Sequence, residues 1–408
     1  QNLRIYGNGG IMLPEVLTDS RYDALQENAI QVIGEQDGKW DDQDYALFYA
    51  QGPHGFNIYP SAYGSTAGRY TETRMDNSMH VQNIYEDFAY YFITFDKGPG
   101  KRVKAEDLPL PLTLISRYDE YQFVDDEKDN LLKLGRIWVG DPFKTEKKVS
   151  FTTKTPLRPE DDVYYRASAV ASYSAGNRVT FDINGQNSFT QNISPGGSDY
   201  YKINSFNGSV RGLSGNNISI NIKPDLAPNP NGAFYFDYAE ILYKQDLVFN
   251  DSQMNFRDYN LPAGSGQLYG FSIANAASVE QVWDVSDVTN AKQKVNKASG
   301  GTFNFGYRAD DAESSNEFVA FKNAAAYSPA FVGKIENSDL HALKNIEYLI
   351  ITRPEMLPDA ERLAAYHRNA EKFRTAVVDI NKIYNEFSSG SQDITAVRDF
   401  VALLQNQN

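Results

Sequence analysis

The side chains able to do chemistry are few and far apart. The 408 residues hold four His, 53 Asp and Glu, 39 Lys and Arg, and no Cys. Without Cys there is no thiol nucleophile, disulfide or thiolate zinc site. His54, His80, His341 and His367 are widely separated, with no HExxH or other short-spaced metal pair. His54, in Gly52-Pro53-His54-Gly55, reads as a solvated loop imidazole. His367, beside Tyr366, reads as a surface or helix-interface residue. A general base needs a nucleophile within reach, and the spacing pairs none with either ring. Gly7-Asn8-Gly9-Gly10 lacks both the GxGxxG and the GxxxxGK spacing of a phosphate cradle and reads as a turn.

Asp41-Asp42, Asp125-Asp126-Glu127, Asp161-Asp162 and Asp310-Asp311 read as exposed acidic loops. A bound Ca2+ needs about six to eight converging oxygens, and no EF-hand spacing is present. The aromatic runs Tyr164-Tyr165, Tyr200-Tyr201 and Phe234-Tyr235-Phe236 could line a sugar platform, but alternate residues of such runs more simply fill a sandwich core. Sequons stand at Asn192, Asn207, Asn217 and Asn250 and carry meaning only in a glycosylating host. The residues alone therefore assign no catalytic, cofactor-binding or metal-ligating position.

The elements that would have to position any site are mostly strands. Apolar residues make up 41% and charged residues 23%, the balance of a globular chain. The net charge of −14 argues against nucleic acid as a partner. No apolar run reaches the ~18 residues of a membrane-spanning helix. Gln1 shows no leader pattern, and the chain opens directly into a strand-like Leu3–Tyr6, so its natural start is expected upstream. Residues 1–115 read as a β-rich module, with strands at 30–33, 45–50 and 90–95 and a polar surface loop from Ser61 to Met79. Residues 116–147 read as a charged connector or helix, because Arg117 to Leu134 is crowded with Asp, Glu and Lys. Residues 148–335 read as a β-sandwich or jelly-roll region, with a break near 247 into two subdomains. Arg178–Ile183 alternates strictly, and Asn184-Gly185 suits a tight hairpin turn. From 340 to 408 the pattern changes. Tyr348–Thr352 is continuously apolar, as in a parallel sheet. A helix follows from Pro358 to Phe373, then a strand at 375–380, then a helix at 394–404 with Asp393 as N-cap. This βαβα start is expected to continue beyond Asn408.

Several blocks resemble one family. Leu3–Glu15 (LRIYGNGGIMLPE), Asp37–Phe56 (DGKWDDQDYALFYAQGPHGF), Tyr90–Val103 (YYFITFDKGPGKRV) and VWDVSD at 282–287 resemble the type IX secretion system sortases of the PorU type. EYLIITRPEM at 347–356 and IYNEFSSGSQDITAVRDF at 383–400 are similar to the opening of their gingipain-type cysteine peptidase domain. The resemblance implies a mainly β, multidomain chain followed by the first βαβα of a caspase-like α/β domain with a His–Cys dyad. That dyad has no counterpart here, since the chain has neither Cys nor a Gly-His-Gly motif, so these residues are expected to cleave no peptide by themselves.

The family reading implies the non-catalytic N-terminal part of a sortase at the cell surface, on the bacterial outer membrane. The whole enzyme would remove the C-terminal sorting domain of secreted cargo and pass the cargo to surface lipopolysaccharide. It would be docked on an outer-membrane barrel of the PorV type, with no cofactor implied. Two alternatives stand beside it: a secreted gingipain-like peptidase without a sorting role, and a surface adhesin or carbohydrate-binding β protein. A chain of this charge gains little from an anionic surface, so docking is expected through a protein patch with aromatic and Arg anchors. Tyr63, Arg69, Tyr70 and Arg74 are the residue types such a patch needs.

Overall fold

The computed structural model describes all residues except 20, 57–78, 134, 136, 173–176, 194–200, 263, 311–315 and 408. Two antiparallel sheets drawn from residues 117–246 face each other. In one, Ala233–Asp246 lies between Val163–Ser172 and the strands Arg117–Asp125 and Pro142–Phe143, and Tyr201–Val210 flanks Val163–Ser172. The other runs Lys147–Leu157, Gly215–Asp225, Arg178–Ile183, Gln186–Asn192. Period-two alternation builds the layer between them. Val149, Phe151 and Thr153 point inward, while Ser150, Thr152 and Lys154 face solvent. Phe181, Phe206, Phe234, Phe236, Ile218, Ile220 and Ile222 fill the core. Tyr165 is also inside, so Tyr165, Phe234 and Phe236 of the aromatic runs serve packing, each buried large side chain contributing about 1.5–3 kcal/mol. Asn184 and Gly185 both have positive φ, 48° and 73°, as a two-residue hairpin turn requires.

The charged connector or helix expected over 116–147 opens instead with a strand, Arg117–Asp125, paired from Tyr238↔Asp125 to Asp246↔Arg117. Tyr118, Tyr121, Phe123 and Val124 favour a pleated surface. The charges that suggested solvent are neutralised by distant partners: Arg117 by Asp161 and Asp246, and Asp119 by Lys244.

A second β unit has its own core of Phe256, Phe271, Phe305 and Phe318, with Phe271 stacked on Phe305 at 5.3 Å. Its larger sheet runs Gln253–Phe256, Phe318–Phe321, Gln281–Asp284, Lys292–Lys294, Lys104–Glu106, the last pair parallel. The buried Lys294 amine binds Asp284 and Glu106, so the N-terminal third of the chain supplies an edge strand here. The remaining N-terminal strands form small sheets: Arg4–Tyr6 between Glu27–Asn28 and Phe92–Thr94, Ile30–Ile33 with Tyr45–Phe48, and His54–Phe56 with His80–Gln82. Leu47 packs with Trp283, Val285 and Phe321, so this region shares the second unit's apolar surface.

At the C-terminal end, Tyr348–Thr352 and Thr375–Asp379 pair in parallel, with Ile350 opposite Val377. Helix α1, Leu357–Tyr366, connects them and runs on through a wider turn at His367–Glu371. Helices α2, Ile380–Phe387, and α3, Thr395–Gln407, follow. The strand expected to reach residue 380 ends at Asp379, whose carboxylate caps α2 by accepting from the Asn381 amide at 2.9 Å. No helix among the described residues is long and apolar enough to cross a membrane.

Candidate functional site

The two stretches with the most family-specific wording meet in space. The turn from Ser388 to Asp393 leads into α3 and lies against residues 7–15 and 83–90. Gly390 has φ +89°, and a Cβ there would stand 3.0 Å from the Tyr90 Cβ, so both conformation and space call for glycine. The Ser389 hydroxyl donates to the Tyr90 carbonyl at 3.1 Å and accepts from the Asn8 amide at 3.1 Å. Asn83 donates to the Gly10 carbonyl at 2.8 Å and reaches the Ser391 hydroxyl at 3.5 Å. Asp393 works in two directions: Oδ1 accepts from the Thr395 amide at 2.8 Å, capping α3, and Oδ2 accepts from the Leu13 amide at 2.9 Å. From α3, Arg398 donates to the carbonyls of Pro14 and Glu15, and Asp399 pairs with Arg21 at 2.9 Å. The Leu13 side chain packs onto the cluster of Val378, Ile383, Phe387, Phe400 and Leu404. The N-terminal segment is thus bound into the C-terminal α/β unit. The Ser388 and Ser389 protons are committed to main-chain carbonyls, so these two hydroxyls hold structure and neither is an activated nucleophile.

Asp393→Ala is expected to cost about 2–4 kcal/mol, combining a lost cap of about 1 kcal/mol with a stranded Leu13 amide of about 1–3 kcal/mol. Asp393→Asn keeps one acceptor and costs less. Urea unfolding followed with hydrogen exchange checks this, and equal losses for both variants would contradict the two-way role.

Of the two histidines given a setting from sequence, His54 is solvent-exposed as expected but in a strand, and His367 sits at a helix interface as expected. His54 lies in a strand, paired with Gln82, and is exposed. His367 stacks on Tyr348 at 4.0 Å and bonds Glu371. Met79, the last residue of the expected surface loop, is buried, and so is His80 next to it. Its Nδ1 lies 2.8 Å from Glu240 and its Nε2 2.9 Å from Asp125, with the ring stacked on Phe123 at 4.6 Å. The amides of Met79 and His80 also donate to Glu240. Burial opposes a charge on this ring, but the two carboxylates outweigh it and lift the pKa to about 10. Burial, with the charges of Asp125 and Asp237, pushes Glu127 up to about 7. Asp125, at the end of its strand, is therefore part of a buried junction, whereas Asp126 is partly buried and Glu127 is exposed beyond the strand's end. No sequence signal marks the junction, because its partners are remote in the chain. Tyr63, Arg69, Tyr70 and Arg74 lie outside the described residues.

His341 opens the C-terminal unit. Its ring stacks on Phe387 at 4.9 Å, Nε2 lies 2.9 Å from the Asp23 carbonyl, and Nδ1 lies 3.2 Å from Glu386. Asp339, His341 and Glu386 are the one group of three or more His and carboxylate side chains among the described residues whose donor atoms lie within 4.8 Å of one another.

Residues 341–408 match the model for peptidase family C25. No curated protein matches the chain in sequence. Among solved structures, dimeric latent PorU from Porphyromonas gingivalis aligns with 98% of this chain at 22% identity and a TM-score of 0.79. The chain spans 36% of that structure's length. The C-terminal CBM6 of LamC from Zobellia galactanivorans aligns with 31% of this chain and 96% of its own, at 17% identity and a TM-score of 0.19. The Cry4Aa toxin from Bacillus thuringiensis aligns with 27% of this chain and 21% of its own, at 19% identity and a TM-score of 0.20. Scores that low carry no argument for a carbohydrate-binding or toxin reading. Over nearly its whole length the chain has the fold of latent PorU, and it ends in a segment matching the gingipain peptidase family, C25.

Proposed function

We propose that this chain is the non-catalytic N-terminal portion of a type IX secretion sortase, a β scaffold on which the first βα units of the peptidase domain are mounted. The observation that carries this reading is the PorU fold across 98% of the chain, together with the C25 match at 341–408. The contacts from residues 7–23 to α3 and His341 give the scaffold a physical role: they hold the peptidase segment in place from outside it. Cleavage of the cargo's C-terminal sorting domain, transfer of the cargo to surface lipopolysaccharide and docking on an outer-membrane barrel belong to this proposal. The 408 residues contain no Cys, so thiol chemistry is outside what they can do.

Deletion of the gene from its host is expected to leave secreted cargo with its sorting domain uncleaved. Cargo processed normally, as judged by its mass, would overturn the sorting role and favour a free peptidase. Barrel docking is assigned to the aromatic and Arg residues Tyr63, Arg69, Tyr70 and Arg74. A deletion testing this should stop at residue 78, since Met79 and His80 are buried and paired with Glu240. Loss of co-purification with the barrel is the expected result, and unchanged retention removes these residues from the interface.

A further inference from the structure

We propose that Asp339, His341 and Glu386 form a zinc site that fastens the start of the C-terminal α/β unit to the N-terminal segment. The ring of His341 is fixed from outside the trio. It stacks on Phe387 with planes 6° apart, and its Nε2 lies 2.9 Å from the Asp23 carbonyl. A carbonyl oxygen can only accept, so Nε2 carries the proton. In the neutral ring Nδ1 then presents a lone pair to the Glu386 carboxylate at 3.2 Å. Two acceptors repel at that distance unless a cation or a second proton lies between them. Donors bound tetrahedrally to Zn2+ at about 2.0–2.1 Å lie about 3.3 Å apart, close to the separation observed. Asp339 supplies the third donor within 4.8 Å of the other two.

A metal-ligating His almost always gives its other N–H to a carbonyl or carboxylate, and Asp23 is that partner here. One imidazole and two carboxylates, completed by water, suit Zn2+. Ca2+ asks for about six to eight oxygens, more than these side chains offer. The ring is oriented by Asp23, from a segment 318 residues away in the chain. Zinc would therefore bind the docked arrangement in preference to an undocked one and stabilise it by mass action. This site stands on its own geometry and does not depend on the sorting role.

The rival occupant of the gap is a proton, which would make His341 an imidazolium donating from both nitrogens. Calorimetric titration of the untagged, chelator-stripped 408-residue chain with ZnCl2, with bound metal counted by elemental analysis, separates the two. The expected result is one Zn2+ per chain and a raised Tm. Both effects should be lost in His341→Ala and kept in His367→Ala. Asp339 caps the Ala342 amide through Oδ1, a contact that Asn can reproduce, so Asp339→Asn should fold normally. It should bind zinc at least about tenfold more weakly, since even an outer-shell partner is worth about 10–100-fold. Absence of stoichiometric zinc, zinc bound equally by Asp339→Asn and His341→Ala, or a response to Ca2+ alone would each overturn the proposal.

Discussion

Replacing His80 by Leu is expected to lower stability by about 3–5 kcal/mol at neutral pH, because it strands the charge of a fully buried Glu240. Two independent considerations give this size. Breaking a buried pair from one side costs that much in general. A His lifted from 6.5 to about 10 also corresponds to about 5 kcal/mol by linkage. The lower end is favoured, because Glu240 keeps two amide donors and the nearby positive charge of Arg166. The sign with pH follows from the direction of the shift. A base whose pKa is raised on folding contributes fully below its unfolded value, and the contribution fades as pH climbs toward the folded value. The gap between native protein and variant should therefore be widest below about pH 6.5 and close as pH approaches about 10. Asp125, Glu127, Asp237, Glu240, Arg166 and Tyr238 all face or neighbour this ring. Glu127 titrates near 7 and its carboxyl is held protonated more strongly once the His80 charge is gone, so the comparison should extend well above neutrality. Urea unfolding of both proteins near neutral pH and near pH 10 decides it. A gap that does not change with pH would show that the imidazolium contributes nothing.

What the sequence disclosed and what it hid divide along one line: whether a residue's environment is set by its neighbours or by remote segments. Val149, Phe151 and Thr153 are inward because they alternate with Ser150, Thr152 and Lys154, and that period is visible without a structure. The parallel pairing of Tyr348–Thr352 with Thr375–Asp379 is likewise foreshadowed by their unbroken apolar runs. Asp393 was readable as a cap, and it does cap α3. Helix α2 is not among the expected elements, although Ile380, Ile383, Tyr384 and Phe387 repeat at helical spacing. Ile380 belongs instead to that helix, although it prolongs the apolar run before it.

Arg117–Asp125 could not be read correctly, because its charges signify solvent until Lys244 and Asp161 come into view. His80 gave no hint, with partners 45 and 160 residues away. His341 and Glu386 are 45 residues apart on elements that only the parallel sheet brings together. The family-specific wording at 3–15 and 383–400 pointed to two important segments. Their mutual contact became visible only when the Leu13 amide met Asp393.

The junction of the β units gives the second large expected effect. Arg257 is almost wholly enclosed and holds the half-buried Glu317 by two parallel bonds of 2.6 and 2.5 Å. It also donates to the Asp119 carbonyl at 3.2 Å and lies over the Tyr121 ring at 4.9 Å. Asp119 accepts from Lys244 and from the Tyr259 amide, and Phe56 stacks on Tyr121 at 3.8 Å. One guanidinium therefore joins the sandwich, the second β unit and, through Tyr121, the N-terminal strands. Glu317→Leu leaves that cation inside the protein without its bidentate partner and with only Glu120 at 3.8 Å, a loss of about 3 kcal/mol, the lower end for a broken buried pair. Arg257→Met should cost less, because Glu317 is nearer solvent and can recover water. The double variant removes both charges, and an apolar replacement of a buried pair is often close to neutral, so it should be more stable than Glu317→Leu alone. A double-mutant cycle measured by urea unfolding would then return a coupling energy of about 2–3 kcal/mol. Additive losses would mean that water already compensates Arg257, and the junction would then be held by packing around Tyr121 alone.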